Sequence, residues 1–299
     1  MAKGSMALID AAKADSLYGA MGSAVEVSGG SAANTIAGVA SFGGKAAFVG
    51  RVRNDQLGNI FRHDIKAIGV EFETAAASHG APTGRCLVFV TPDAQRTMQT
   101  FLGACVELGP ADIDADQIAR AKITYLEGYL WDPPQAKEAF RKAADLAHNA
   151  DRKVALSLSD TFCVKRYQQE FLHLLDEHLD VLFANEAEIA ALYDVKSFDD
   201  AVKAVRGRCD IAVLTRSEKG AVIVTDKETI PVPAVKPEKL VDTTGAGDLF
   251  AAGFLYGLSQ DRTLGDCGRL GALAAAEIIS HVGARPEVSL KDLAKKHGL

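Results

Sequence analysis

From Asp112 to about residue 215 the chain alternates short helical runs with short apolar runs, and that rhythm constrains the fold more than any other feature. Helix-like Gln117–Ala121 precedes a strand at Ile123–Glu127, and helix Ala136–Asn149 precedes Val154–Leu158. Helix Tyr167–Leu175 precedes Val181–Ala184, and Phe198–Val205 precedes Ile211–Thr215. Strands separated by helices of about 10–15 residues join in parallel and are covered on both faces. The expectation is an α/β fold with a mostly parallel central sheet.

The flanks differ. Only Met6-Ala7-Leu8-Ile9 is apolar in the first fifteen residues, and Ala11 to Met21 reads as a short helix. Gly29-Gly30-Ser31-Ala32-Ala33-Asn34 opens a helix of small residues that stops at Gly43-Gly44. Ala46–Val49 reads as a strand, Asp55 as an N-cap, and Gln56–Ile68 as a helix closed by Gly69. Arg85–Val90 and Thr97–Leu102 then read as a hairpin around Pro92-Asp93-Ala94-Gln95. This predicts one domain, residues 1–299, with a small β lid contributed mainly by residues 70–105. The Ala- and Gly-rich segments Leu249–Ser259 and Leu264–Ser280 read as closely packed helices.

Composition excludes several functions. A net charge of −6 leaves no electrostatic footprint for nucleic acid or an anionic membrane. Five scattered cysteines without a Cys-x-x-Cys pair indicate neither a disulfide framework nor a zinc site. With no signal peptide or transmembrane run, a cytoplasmic protein is expected. Gly-x-x-x-x-Gly-Lys-Ser/Thr, Gly-x-Gly-x-x-Gly after a strand, and His-Arg-Asp loops are all absent.

Two glycine-rich stretches remain, Gly29–Asn34 and Asp242-Thr243-Thr244-Gly245-Ala246-Gly247-Asp248, about 210 residues apart, with Asn185-Glu186-Ala187-Glu188 between them. The second runs into Leu249–Leu255, apolar enough for a buried helix. Glycines at a helix start turn the backbone sharply and gather N–H groups and the helix dipole into an anion site. By residue type alone, Asp248 is either a cap for that helix or a catalytic acid or base.

Together these stretches resemble the ribokinase-like (PfkB) family of carbohydrate and nucleoside kinases, over about Gly29 to Gly283. The texture around Tyr125–Pro134 and Leu156–Cys163 looks most like bacterial members described as adenosine or sugar kinases. The resemblance implies a three-layer α/β/α fold and an ATP-dependent kinase. ATP would set its γ-phosphate against the N–H groups of Gly245, Ala246 and Gly247, and Asp248 would be the general base. Asn185 and Glu188 would order Mg²⁺ through water. Gly29, Gly30, Asn34 and Glu127 would bind the hydroxyls of the substrate. Thr215, Ser217 and Gly220 would contact the nucleotide, although Arg216 stands where the family usually has a small or apolar residue. Asp242 and Thr244 would lie at a monovalent cation site, with K⁺ the candidate ion.

The family normally opens with an apolar strand ending near an Asp that grips the substrate. No such strand precedes Gly29, so the first strand and its acid are expected to be missing, leaving two sheet edges uncovered. The implied substrate is a ribose-containing nucleoside, with adenosine and its 5′-hydroxyl first, and Phe89, Met98, Phe101, Tyr129, Trp131 and Phe162 available to hold a base. A sugar kinase of ribokinase or fructokinase type is the alternative, and a non-catalytic nucleotide- or sugar-binding relative a remote one. Either a monomer or a homodimer is compatible with the sequence.

Overall fold

The computed structural model describes residues 6–299. β1 (Met6–Leu8), α1 (Ala11–Ala20), α2 (Ser31–Ser41) and α3 (Gln56–Ala67) lead to the hairpin β2 (Arg85–Val90) and β3 (Arg96–Phe101). Then follow α4 (Ala115–Arg120), β4 (Ile123–Glu127), α5 (Pro134–Asn149), β5 (Lys153–Ser157), α6 (Thr161–His178) and β6 (Val181–Asn185). α7 (Glu186–Tyr193), α8 (Phe198–Val205), β7 (Ile211–Thr215), β8 (Ala221–Val224) and β9 (Thr229–Val232) complete the sheet. α9 (Ala246–Ser259), α10 (Leu264–Ile278) and α11 (Leu290–Lys296) close the chain.

The large sheet has the order β4-β5-β6-β7-β8-β9, parallel from β4 to β7 and antiparallel beyond. Its side chains sort by the two-residue period of a strand. Val154, Leu156, Leu182, Ala184, Ala212 and Leu214 face one core with residues of α5 to α8. Ala155, Val181, Phe183, Ile211 and Val213 face the other with α9 and α10. Helices on both faces of a mostly parallel sheet are the layered α/β arrangement expected from the alternation.

A small sheet of order β1-β3-β2 stands apart, with β1 parallel to β3 and β2 antiparallel to it. Its hairpin matches the sequence expectation, but Met6–Leu8 joins it from outside residues 70–105. Among the described residues no strand precedes β4 in the large sheet. Ala46–Val49, expected as a strand, makes only an isolated bridge, Ala47 to Glu71. A strand exists by its ladder, and this apolar run has no second neighbour to pair with. Asp55 does cap α3, accepting the Gly58 N–H at 2.8 Å.

α9 is buried nearly all round, from Leu249 to Leu255. It packs closely on α10 because Gly253 offers no side chain: a Cβ there would sit 2.5 Å from the Leu270 carbonyl carbon. The C-terminal ends of the parallel strands put Glu127 beside Ser157 and Asn185 beside Thr215. Ligands of such sheets bind outside those ends.

Candidate active site

At the start of α9 the backbone turns on Gly245, which sits at φ +80° and serves as N-cap without a side-chain bond. A left-handed residue is costly for anything with a Cβ, and a Cβ here would also press within 3.1 Å of Ala284. The first intrahelical bond runs from Leu249 N–H to the Gly245 carbonyl at 2.8 Å. The N–H groups of Gly247 and Asp248 precede it and have no acceptor within the helix. Ala246 N–H donates to the Thr243 carbonyl at 3.4 Å, a long bond. Asp242 braces the turn: its Oδ1 accepts from Thr244 N–H at 2.9 Å and Thr244 Oγ1 at 2.6 Å, and its Oδ2 from Gly283 N–H at 3.2 Å.

Asp248 does not cap its own helix. Its carboxylate turns across to α2, where Ser31 Oγ donates to Oδ1 at 2.7 Å and Asn34 Nδ2 donates to Oδ2 at 2.9 Å. Burial in the cleft pushes its pKa up, while the Asn34 and Ser31 hydrogen bonds and the charge of Arg96 pull it down, with a net rise. Asn34 is buried at 4% exposure, and among the described residues nothing bonds its Oδ1. Gly30, at φ +100°, is the N-cap of α2.

Glu127, at the end of β4, reaches the same turn from the sheet and accepts the Ala32 N–H at 2.7 Å. Desolvation raises its pKa to about 7, helped by the nearby Asp248 charge and opposed by the Ala32 bond. Two carboxylates therefore face the first turn of α2, whose N–H groups and dipole favour negative charge.

Asn185 and Glu188 form a capping box at the start of α7. The Asn185 side chain accepts from the N–H groups of Ala187 and Glu188 at 2.9 Å, and Glu188 Oε2 accepts the Asn185 N–H at 2.9 Å. Glu188 is 5% exposed, and burial raises its pKa to about 7. Thr215 ends β7, and Ser217 and Gly220 frame the turn into β8. Arg216 points elsewhere, donating to Glu186 at 3.1 Å and lying 4.0 Å over the Phe198 ring.

One cleft of about 2680 Å³ collects all of the expected residues: Gly29, Gly30 and Asn34; Glu127; Asn185 and Glu188; Thr215, Ser217 and Gly220; and Asp242 through Asp248. Phe89, Met98, Phe101 and Tyr129 line it as well. Trp131 does not, being buried between Phe140 and Phe171, and Phe162 packs beside Tyr129 in the core. Two residues to which the sequence assigned no role also belong here. Ser31 is one. Arg96 at the start of β3 is the other, donating to Thr243 Oγ1 at 3.2 Å while Thr243 Oγ1 donates to the Ala94 carbonyl at 3.4 Å. The hairpin thus rests on the glycine turn. Among the described residues no helix is long and apolar enough to cross a membrane.

The chain is 52% identical to a probable sugar kinase protein from Rhizobium etli CFN 42, whose crystal structure superposes with a TM-score of 0.98 over 100% of this chain and 91% of that one. It is also 52% identical to an adenosine kinase from Sinorhizobium meliloti, with a TM-score of 0.97 over 99% of this chain and 91% of that one. A 5-dehydro-2-deoxygluconokinase from Geobacillus kaustophilus (strain HTA426) is 30% identical over 84% of this chain and 78% of its own length. The model of the pfkB family carbohydrate kinases matches residues 4–290. The chain therefore belongs to that family and is a kinase.

Proposed function

We propose that the protein transfers the γ-phosphoryl group of ATP to a primary hydroxyl of a ribose-containing nucleoside, adenosine first. The observation that carries this reading is the placement of Asp248. It lies in the first turn of α9, beside N–H groups with no helical acceptor, and its carboxylate is held by Ser31 and Asn34 of α2 in the wall of the cleft. Other hydroxyls of the substrate, donating to Asn34 Oδ1 and Glu127, would set the acceptor hydroxyl within reach of Asp248, its own proton left for that carboxylate.

Asp248 takes the proton of that hydroxyl as its oxygen forms the new bond to phosphorus and the bond to the β-phosphate oxygen breaks. General-base help of this kind is worth roughly 10²–10⁴ in rate. The N–H groups of Gly247 and Asp248 and the guanidinium of Arg96 hold the charge spread over the moving phosphoryl group. Thr215, Ser217 and Gly220 border the part of the cleft left for the nucleotide. Glu188 and Asn185, whose capping box engages both Glu188 oxygens and Asn185 Oδ1, would hold Mg²⁺ through its water shell, and the ion would neutralise charge on the phosphates. Asp242 braces the turn with three accepted bonds and would keep a lone pair for a monovalent cation. The small sheet, resting on the glycine turn, acts as the lid.

The apolar walls Phe89, Met98, Phe101 and Tyr129 favour a base over a bare sugar, which needs hydroxyl partners instead. Likeness to the Sinorhizobium adenosine kinase points the same way, and likeness to the Rhizobium probable sugar kinase supports the second reading, a sugar kinase. Release of ADP with adenosine, inosine, ribose and fructose separates the two. Turnover of adenosine alone is expected; turnover of ribose or fructose without any nucleoside overturns the first reading. Asp248→Asn is expected to bind Mg–ATP and to lose phosphoryl transfer, and full activity in that variant would remove Asp248 as the base.

A further inference from the structure

Both oxygens of the Asp248 carboxylate are held by the same turn of one helix. Ser31 Oγ occupies Oδ1 at 2.7 Å and Asn34 Nδ2 occupies Oδ2 at 2.9 Å. The two donors differ. The Asn34 amide has a second polar atom, Oδ1, that is buried and without a partner among the described residues. Among the described residues Ser31 Oγ has no other bonded partner, and its own carbonyl is used within α2, accepting Thr35 Oγ1 at 3.1 Å. The turn itself is fixed from the opposite side, where Glu127 accepts the Ala32 N–H at 2.7 Å. Ser31 is thus presented to Asp248 on a clamped backbone.

We propose that Ser31 is a positioning residue for the base, fixing the plane of the Asp248 carboxylate so that one lone pair of each oxygen is left toward the acceptor hydroxyl. The inference rests on the reading of Asp248 as the base. A carboxylate has about four lone-pair sites. With one on each oxygen already engaged, neither free rotation nor self-capping of α9 remains open to it. A hydrogen bond to the ionised form also favours that form, so the same hydroxyl should keep the base charged at lower pH. The other groups facing Asp248 are Glu127 and Tyr125 of β4, Tyr129 just beyond it, and Arg96 of β3. None of them replaces a donor at Oδ1.

The test is the pH dependence of kcat/KM and kcat with adenosine and Mg–ATP, for the native protein, Ser31→Ala and Ser31→Thr. Carboxyl ¹³C NMR titration of Asp248 is run on each protein without ligand. Ser31→Ala should move the acid limb of the rate profile, and the Asp248 titration, up by about one pH unit, equivalent to about 1.4 kcal/mol. Ser31→Thr, which keeps the hydroxyl, should bring both back. Activity of Ser31→Ala should approach the native value at high pH, which a merely damaged fold would not do. An Asp248 titration that does not move in Ser31→Ala overturns the proposal, as does a rate loss equal at every pH. If Ser31→Ala fails to fold, Ser31→Thr against Ser31→Cys makes the same comparison, the thiol being a weak donor. Asp248→Asn separates the two claims. Activity in that variant sinks the base assignment, whereas an inactive Asp248→Asn with an unshifted Ser31→Ala sinks the role of Ser31 alone.

Discussion

Replacing Glu127 by Gln should stabilise the protein, and only above the acidic range. Glu127 is drawn into the cleft wall, where desolvation, with the neighbouring Asp248 charge behind it, lifts its pKa from 4.5 to about 7. The folded protein therefore keeps a proton on Glu127 that the unfolded chain gives up between pH 4.5 and 7. A state that binds the extra proton loses stability as pH rises through that window. The 2.5-unit difference corresponds to at most about 3 kcal/mol, fully present as a cost above pH 7 and absent below pH 4.5. Glutamine keeps an oxygen to accept the Ala32 N–H, found here at 2.7 Å, and carries no charge. For a chain of 299 residues the unfolding entropy is roughly 0.6 kcal/mol/K, so the gain in Tm approaches about 5 °C at pH 8. Differential scanning calorimetry of Glu127→Gln and the native protein at pH 5, 6, 7 and 8 measures it. The Tm difference should grow with pH up to about 7 and then level off. An equal difference at pH 5 and pH 8, or a less stable variant at pH 8, would refute the placement of this carboxyl as a desolvated acid.

Arg96→Met should cut kcat by about 10²-fold or more, since on the proposed reading it removes a cation beside the transferred group, while the KM for the acceptor changes little; steady-state kinetics decides. Gly253→Ala should cost about 1–3 kcal/mol by overpacking against α10, read as a lower Tm with the site's pH profile unchanged. Arg216→Ala should leave Mg–ATP affinity within about twofold by calorimetry. Its guanidinium is spent on Glu186 and Phe198, and a half-exposed pair of this kind contributes about 1 kcal/mol or less.

The parallel core was legible because each strand from β4 to β7 is an apolar run preceded by a helix. What the rhythm could not carry was short or cooperative. β8 and β9 are four residues each, and β9 contains Pro231, so neither shows a usable period. Ala46–Val49 has strand composition without a ladder. Met6–Leu8 is three residues whose pairing depends on Met98 to Thr100, over ninety positions away. In the site, glycines and acids with fixed spacing announced themselves, whereas Arg96 carried no local signal because its role comes from where a hairpin folds. Ser31 stood inside a quoted motif, yet nothing local says that its hydroxyl turns toward a carboxylate 217 positions on. Trp131 shows the converse error: an aromatic near a site motif was core.

The hairpin meets the glycine turn through Thr243 in two hydrogen bonds, at 3.2 and 3.4 Å. Each is worth about 0.5–1.5 kcal/mol net, so prising the two apart would cost roughly 1–3 kcal/mol. That corresponds to an open fraction between about one in five and one in a hundred and fifty. As the lid of the proposed reaction, a cover latched so lightly is expected to open often without any ligand to prompt it. Reactants would then enter by waiting for an opening rather than by forcing one, and the departure of product is expected to be limited by its own contacts and not by the cover.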